Sequence, residues 1–403
     1  MKIARLVMVT AQNNYKYYFM TQIDENKFKA EWGRIEVNHY EKIYPMSKWD
    51  SIYGSKIGKG YMDHTELHRA ENAAETAAFN TISNKDVKNL ILALQKYAKE
   101  AVLQNYAVSS STVTLKRVEK AQILIDDIAN MIAIDSDTDS INKKYLELLG
   151  VITRRLQRVQ DILFNEINTE EDLQEAQRKI ANEQSILDAM RGQIETEVET
   201  QEIGSNNILE QFDLEIHPCS PEEEMMIKEM MEENASMFSR AFRVEKKDRS
   251  ENFEEFISKA EDKSIHLLWH GSRNENWWNI LKTGLILRPA NAVINGKVFG
   301  YGIYFANKFR KSFRYCSCRG SYLTQDTENK CYIGIFEVHR GCELQIQDHQ
   351  DWCYNLNEEN LRNQGNYDSL YAPGIPGVRD SDYVVYNQKQ CTIKYLVEVV
   401  TSN

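Results

Sequence analysis

The first 65 residues carry short runs in which apolar and polar positions alternate. YKYYFMTQI (15–23) and FKAEWGRIEV (28–37) have the period of two that half-buried strands show, with Gly33 inside the second. Gly54, Gly58 and Gly60 mark turns, and the Ala- and Glu-rich stretch from about 64 to 82 predicts a helix packed on a small sheet. At residue 83 the period changes. Val87, Leu90, Ile91, Leu94 and Ala98 recur at three and four, the stripe of an amphipathic helix, and Ser83 with Asp86 predicts its N-cap. A second stripe runs through Tyr145, Leu148, Leu149, Ile152, Leu156, Val159 and Leu163. No proline occurs between 83 and 206, so the segment predicts a helical bundle, with SDTDS (136–140) and NTEED (168–172) as turns.

Beyond residue 210 the pattern is mixed. A helix is expected near 221–240, followed by strands at IHLLW, YIGIFEV, YVVY and IKYLVEVV. The expected class is therefore α+β and multidomain, divided as 1–82, 83–206 and 207–403. The last part is mainly antiparallel, and the chain shows neither internal repeats nor low-complexity tracts.

Length and composition agree with several domains. The chain has 403 residues, 42% hydrophobic and 27% charged, the balance of a folded globular protein. No apolar run approaches the roughly 20 residues that span a bilayer, so no membrane association is expected. The N-terminal stretch reads as a first strand rather than a signal peptide. All seven cysteines follow residue 218 without a Cys-x-x-Cys pair, which points to reduced thiols rather than a disulfide framework or a zinc site. The net charge of −11 argues against broad coating of nucleic acid. Residues 1–82 are nearly neutral, with 11 Lys and Arg against 10 Asp and Glu, so a phosphate-contacting face fits best there.

The candidate chemistry lies in the last two hundred residues. LLWHGSRNENWW (267–278) ends an apolar run in His270, Gly271, Ser272 and Arg273; taken alone, a buried core histidine is the commoner reading. A second stretch, VFGYGIYFANKFRKSFRYCS (298–317), adds partners. Gly300 and Gly302 admit close approach of a flat ligand to the backbone. Tyr304 and Tyr315 offer stacking faces, Ser312 a hydroxyl for a carboxamide, and Lys311 a positive charge.

WHGSR, FGYGIYFANKFRKSFRYC and DYVVY together resemble the catalytic domain of the poly(ADP-ribose) polymerases, as does the spacing of 34 residues from His270 to Tyr304. EWGRIEV resembles the WGR domain of the DNA-dependent members, and the bundle resembles their helical regulatory domain. The resemblance implies transfer of ADP-ribose from NAD to protein acceptors, including the protein itself, with release of nicotinamide and no metal. Bond cleavage then builds oxocarbenium character on the ribose, as in glycoside hydrolysis. His270 matches the histidine that binds the adenosine ribose. Gly271 and Ser312 match the grip on the carboxamide, and Tyr315 the tyrosine stacked on nicotinamide. Tyr304 matches the middle of the His-Tyr-Glu triad. Ser272 and Asn276 fall on the adenosine side, and Gly302, Phe305 and Lys311 belong to the same NAD-binding set.

Three departures stand out. The position of the catalytic glutamate is Asp382, one methylene shorter; Glu337 and Glu398 are the rival carboxylates. The donor-loop arginine is matched by Ile286, with Arg288 two residues on, and a glycine of the adenosine pocket by Asn279. The short carboxylate leaves open whether the products are polymers or single and short adducts, and a catalytically weak DNA-end or NAD-binding module is the rival from another class. By the same resemblance Trp32 stacks on sugar at a DNA break and Arg34 reaches toward phosphate and the neighbouring domains. DNA breaks are thus the expected partner, in a monomer taking part in the DNA damage response. Its location would be the nucleus of a eukaryote, or the cytoplasm in association with the nucleoid.

Overall fold

The protein is described by a computed structural model. The residues described are 2–35, 37–65, 82–107, 113–133, 136–202, 208–287, 299–318, 329–348, 350, 352–353, 356–374 and 380–401. The stretch expected to be helical over 64–82, and Arg288, lie outside them for all but a few positions. The chain packs as two compact units. One contains Met1–Ala74 and Lys99–Glu197, and the other Glu75–Ala98, Val198–Ala290 and Gly296–Asn403.

In the first unit, β1 (Ile3–Val9), β2 (Tyr15–Gln22), β3 (Lys27–Arg34), β4 (Tyr40–Pro45) and β5 (Met62–Asp63) form an antiparallel sheet in the order β4-β3-β2-β1-β5. Alternation turns Phe28 and Ala30 of β3 inward with Leu6, Tyr18 and Met20, while Lys29 and Glu31 face outward. The helix on this core is α1 (Trp49–Ile57), a stretch expected to continue the strand run. Trp49 sits edge-on to Phe28 at 4.9 Å, so tertiary packing overrides the aromatic and glycine-containing local sequence.

Four helices follow: α2 (Lys85–Asn105), α3 (Leu115–Ala133), α4 (Thr138–Val151) and α5 (Glu170–Glu202). The cap of α2 is Asn84, not Ser83; its Oδ1 accepts from the Asp86 and Val87 amides. The segment NTEED opens α5 through reciprocal bonds of Thr169 and Asp172 rather than forming a turn. The α-helix of the second apolar stripe ends at Val151; Ile152 is extended, and Val159 falls in a separate 3-10 turn, Val159–Ile162. The first sheet captures its polar groups: Tyr15 Oη donates to the Arg154 carbonyl at 2.5 Å, and the Val159 amide donates to Asn13 Oδ1 at 3.1 Å.

Residues 85–98 of α2 count with the second unit. There Leu90, Ile91 and Leu94 share a core with Leu268, Trp277, Phe305 and Tyr332. This unit begins with α6 (Ile208–Gln211), β6 (Leu214–Pro218), α7 (Pro221–Met230), β7 (Phe238–Lys246), α8 (Lys247–Lys259), β8 (His266–Gly271) and α9 (Asn274–Thr283). It continues through β9 (Ile303–Phe305), α10 (Phe309–Phe313), β10 (Lys330–Val338), β11 (Glu343–Gln345), α11 (Glu358–Gly365), β12 (Ser369–Ala372), β13 (Asp382–Val385) and β14 (Cys391–Val400).

The helix expected over 221–240 ends early. A Ser220–Glu223 capping box and Pro221 start α7, but Glu232 takes a positive φ and β7 begins at Phe238. One sheet runs β6-β7-β14-β10-β8 and is antiparallel throughout. The other runs β11-β12-β13-β9, parallel only between β11 and β12. A bridge between Trp269 and Ala306 joins them. The α+β class is as expected. Among the described residues no helix is long and apolar enough to cross a membrane, and none of the seven cysteines is in a disulfide.

Candidate active site

The bridge at Trp269 brings the end of β8 against β9, and the motif residues meet there. His270 Nδ1 lies 2.9 Å from the Tyr304 carbonyl. That oxygen can only accept, so Nδ1 carries the proton. Burial holds the imidazole below its ordinary pKa, against the opposing effect of this hydrogen bond, and the neutral ring presents Nε2 as an acceptor.

The next residue abuts α10. A Cβ on Gly271 would lie 1.8 Å from the Ser312 carbonyl oxygen and 3.3 Å from Tyr315 Cβ, so close approach of the protein's own backbone demands glycine. Gly302 is similarly enclosed, since a Cβ there would lie 2.2 Å from Val384 Cγ1 and 2.9 Å from the Val385 carbonyl oxygen. Strand packing by itself therefore asks for a small residue at this position. Ser312 Oγ donates to the Trp269 carbonyl at 2.9 Å, which fixes the hydroxyl beside Gly271 and leaves its oxygen as an acceptor. Burial pushes the Tyr315 phenol up to about 12, with Asp382 adding to the effect. The Tyr304 phenol lies far above its usual range, chiefly through burial, and its hydroxyl is bonded to the loop before β9.

Asp382 opens β13, beside β9, and its Oδ1 lies 2.6 Å from Lys311 Nζ. Burial raises the carboxyl and lowers the ammonium, and the ion pair opposes both shifts. Lys311 Nζ also donates to the Asp380 carbonyl at 2.6 Å. The Asp380 carboxylate pairs with Arg310 at 2.7 Å and Arg314 at 3.3 Å. This anchoring of the strand start on α10 was not foreseen from sequence, although Asp380, two residues ahead of Asp382, carries the charge for it. The rival carboxylates are engaged elsewhere. Glu398 is bonded by Ser239, Arg240, Lys330 and Tyr332, and Glu337 pairs with Lys394.

The adenosine-side candidates lie on or just before α9, which is held by Trp277 Nε1 donating to the Tyr332 carbonyl at 3.0 Å. Asn276 Nδ2 donates to Ser272 Oγ at 3.2 Å, and Asn279 Oδ1 is a buried acceptor without a partner among the described residues. Phe305 is buried 5.8 Å from the His270 ring, and Ile286 is exposed.

A sequence profile of the poly(ADP-ribose) polymerase catalytic domain matches residues 222–325, which hold His270, Gly271, Tyr304, Ser312 and Tyr315 and stop short of Asp382. A putative poly(ADP-ribose) polymerase-like protein, 100L of invertebrate iridescent virus 6, is 32% identical over 39% of this chain and 83% of its own length. The chain belongs to the poly(ADP-ribose) polymerase family. Poly(ADP-ribose) polymerase 2-B of rice is 23% identical over 96% of the chain and 70% of the relative. The human poly(ADP-ribose) polymerase 2 is 47% identical over 39% of the chain and 29% of the relative. The second unit thus carries an ADP-ribosyltransferase catalytic domain, whose substrate is NAD.

Trp32 and Arg34 belong to the first unit. Trp32 stacks on Tyr18 at 5.6 Å and on Tyr40 at 6.2 Å. It lines a cleft of about 340 Å³ with Tyr44, Ser51, Ser55 and Lys56. Lys56 Nζ lies 3.8 Å over the Tyr18 ring, and burial lowers its pKa. Arg34 turns its guanidinium to Asn13 Oδ1 at 2.9 Å and the Gln157 carbonyl at 2.8 Å. Among the described residues, three ligand atoms suited to a metal converge at Glu31, His39 and Glu41, but Lys29 Nζ already lies 2.9 Å from Glu31.

Proposed function

We propose that the protein is a DNA-break-stimulated ADP-ribosyltransferase that modifies proteins, itself included, with single or short ADP-ribose adducts. The observation that carries the transferase reading is the meeting of His270, Tyr304, Ser312 and the Lys311–Asp382 pair around the ends of β8, β9 and β13. His270 Nε2 accepts a hydrogen bond from a ribose hydroxyl of the adenosine half. Gly271 and Ser312 hold the nicotinamide carboxamide and Tyr315 its ring. Asp382, with Oδ1 held by Lys311, turns Oδ2 to the other ribose, where it stabilises the developing positive charge as the nicotinamide leaves. An acceptor nucleophile then attacks the anomeric carbon.

Short products follow from side-chain length. An aspartate ends about 1.5 Å short of a glutamate, and a displacement of about 1 Å can cost on the order of a hundredfold in rate. The second ribose of a growing chain is therefore poorly activated.

Stimulation by DNA is supported by the first unit. Its aromatic cleft, with Trp32 as one wall and Lys56 at hand, suits a sugar and phosphate at a broken end. Arg34, Asn13 and Tyr15 bind the 154–159 segment to the same sheet. Strain from bound DNA thereby reaches the helical segment, and α2 has residues in both units. Such control requires DNA to favour the active state over the inactive one. Incubation with labelled NAD and nicked, 5′-phosphorylated DNA tests the reading. Labelled protein bands that strengthen with DNA support it, a ladder overturns the short-product part, and equal labelling with and without DNA at low salt overturns the stimulation.

A further inference from the structure

We infer that Tyr386, which follows β13, is a positioning residue for the NAD site. It acts through the backbone of the turn at 299–302, and the inference rests on the NAD reading above. Tyr386 is buried, and its hydroxyl donates to the Phe299 carbonyl at 2.6 Å. The amide of the same Phe299 donates to Tyr304 Oη at 2.9 Å. The Tyr304 hydroxyl in turn donates to the Gly300 carbonyl at 2.9 Å. Two phenols thus grip one residue from opposite sides, at a turn where Gly300 has a positive φ of 72°.

The grip continues to the imidazole. The Tyr304 carbonyl is the acceptor of His270 Nδ1, so an unbroken run of hydrogen bonds leads from Tyr386 through Phe299 and Tyr304 to His270. The Tyr304 hydroxyl has both a donor and an acceptor partner in the turn. Its own part is therefore to place the turn and the imidazole. The Tyr386 ring packs among Phe299, Leu356 and Val384, so removing only its oxygen keeps the core filled. The Phe299 carbonyl then loses this hydrogen bond, and the turn gains freedom.

The test compares wild type, Tyr386→Phe, Tyr304→Phe and the double variant in the full chain. For Tyr386→Phe, the KM for NAD rises about tenfold while kcat changes less than about threefold. Amide exchange at Phe299 quickens about tenfold, and the His270 Nδ1 nitrogen resonance moves. The two single effects on KM combine less than additively, because both phenols act on one residue. Unchanged exchange at Phe299, or additive effects, overturns the shared grip. Faster exchange with unaltered KM and His270 resonance overturns the positioning role and leaves a purely structural one. If wild type neither binds nor consumes NAD, the NAD reading falls and the substrate role of Tyr386 with it, while the exchange measurement still decides whether the grip exists.

Discussion

Lys311 Nζ and Asp382 Oδ1 are 2.6 Å apart, with both side chains nearly withdrawn from solvent. Neither charge is comfortable alone, so each residue fixes the other. Removing one partner of such a pair typically costs about 3–5 kcal/mol. Asp382→Ala is expected to lower both the melting temperature and the turnover, the latter by on the order of a hundredfold. Asp382→Glu keeps the charge, loses far less, and lengthens the products. Thermal melts and product length on a gel check this. Long chains from the wild type would refute the short-product reading, and full activity of Asp382→Ala would remove this carboxylate from the site.

Gly271→Ala is expected to abolish binding of nicotinamide and benzamide-like compounds. The added methyl meets the Ser312 carbonyl at 1.8 Å, and backbone cannot swing aside as a flexible side chain does. Overpacking of this kind costs about 1–3 kcal/mol or more, so the variant melts lower but folds. Calorimetric titration with benzamide checks the loss; wild-type affinity would mean that α10 does not abut the carboxamide site.

Asn13→Ala is expected to reduce the stimulation of NAD consumption by DNA as strongly as Arg34→Ala. Asn13 orients the Arg34 guanidinium and accepts from the Val159 amide, so either change loosens the sheet from the 154–159 segment. Trp32→Ala acts differently and weakens DNA binding itself, by about 1–3 kcal/mol for a lost stacking face. Fluorescence anisotropy on a nicked duplex, set beside rates with and without DNA, separates the two. Equal loss of DNA affinity in all three variants would sink the distinction.

His64 gives the first unit a dependence on acid. It is buried in β5's flank near Gly150, and burial, with Arg117 and Lys120 of α3 nearby, lowers its pKa to about 4; Asp63 and the Gly150 backbone oppose this. The unfolded chain takes up the proton near pH 6.5 and the folded one only near pH 4. The stabilisation is therefore full above 6.5 and falls away as pH drops towards 4, by about 3 kcal/mol at most. His64→Gln should flatten that slope in urea melts between pH 7 and 4.5. An unchanged slope would assign the acid sensitivity to other groups.

Strand β8 was legible because it ends an apolar run, Leu267–Trp269, at the polar motif of His270, and β13 because its apolar run follows Asp382. Partners distant in sequence were not. Period alone could not show that the stripe from Tyr145 leaves the helix at Ile152, since the groups that draw out the backbone are Asn13, Tyr15 and Arg34, more than a hundred residues earlier. The close approach expected at Gly300 and Gly302 did not name the protein's own neighbours there, which are the Leu356 backbone in one case and Val384 in the other. Tyr386 closes the DYVVY motif, but its acceptor was not legible, because Phe299 lies 87 residues away.

The membership of residues 85–98 in the second unit bears on how this protein can be taken apart. A fragment of 207–403, the natural choice from sequence, would leave behind Leu90, Ile91 and Leu94 and open the core they share with Leu268, Trp277 and Tyr332. An apolar face of that kind recruits other molecules. Such a fragment would be sticky, poorly soluble and prone to associate, and its behaviour would misrepresent the domain. Expression boundaries that retain Asn84, the cap of α2, keep the hydrophobic surface sealed.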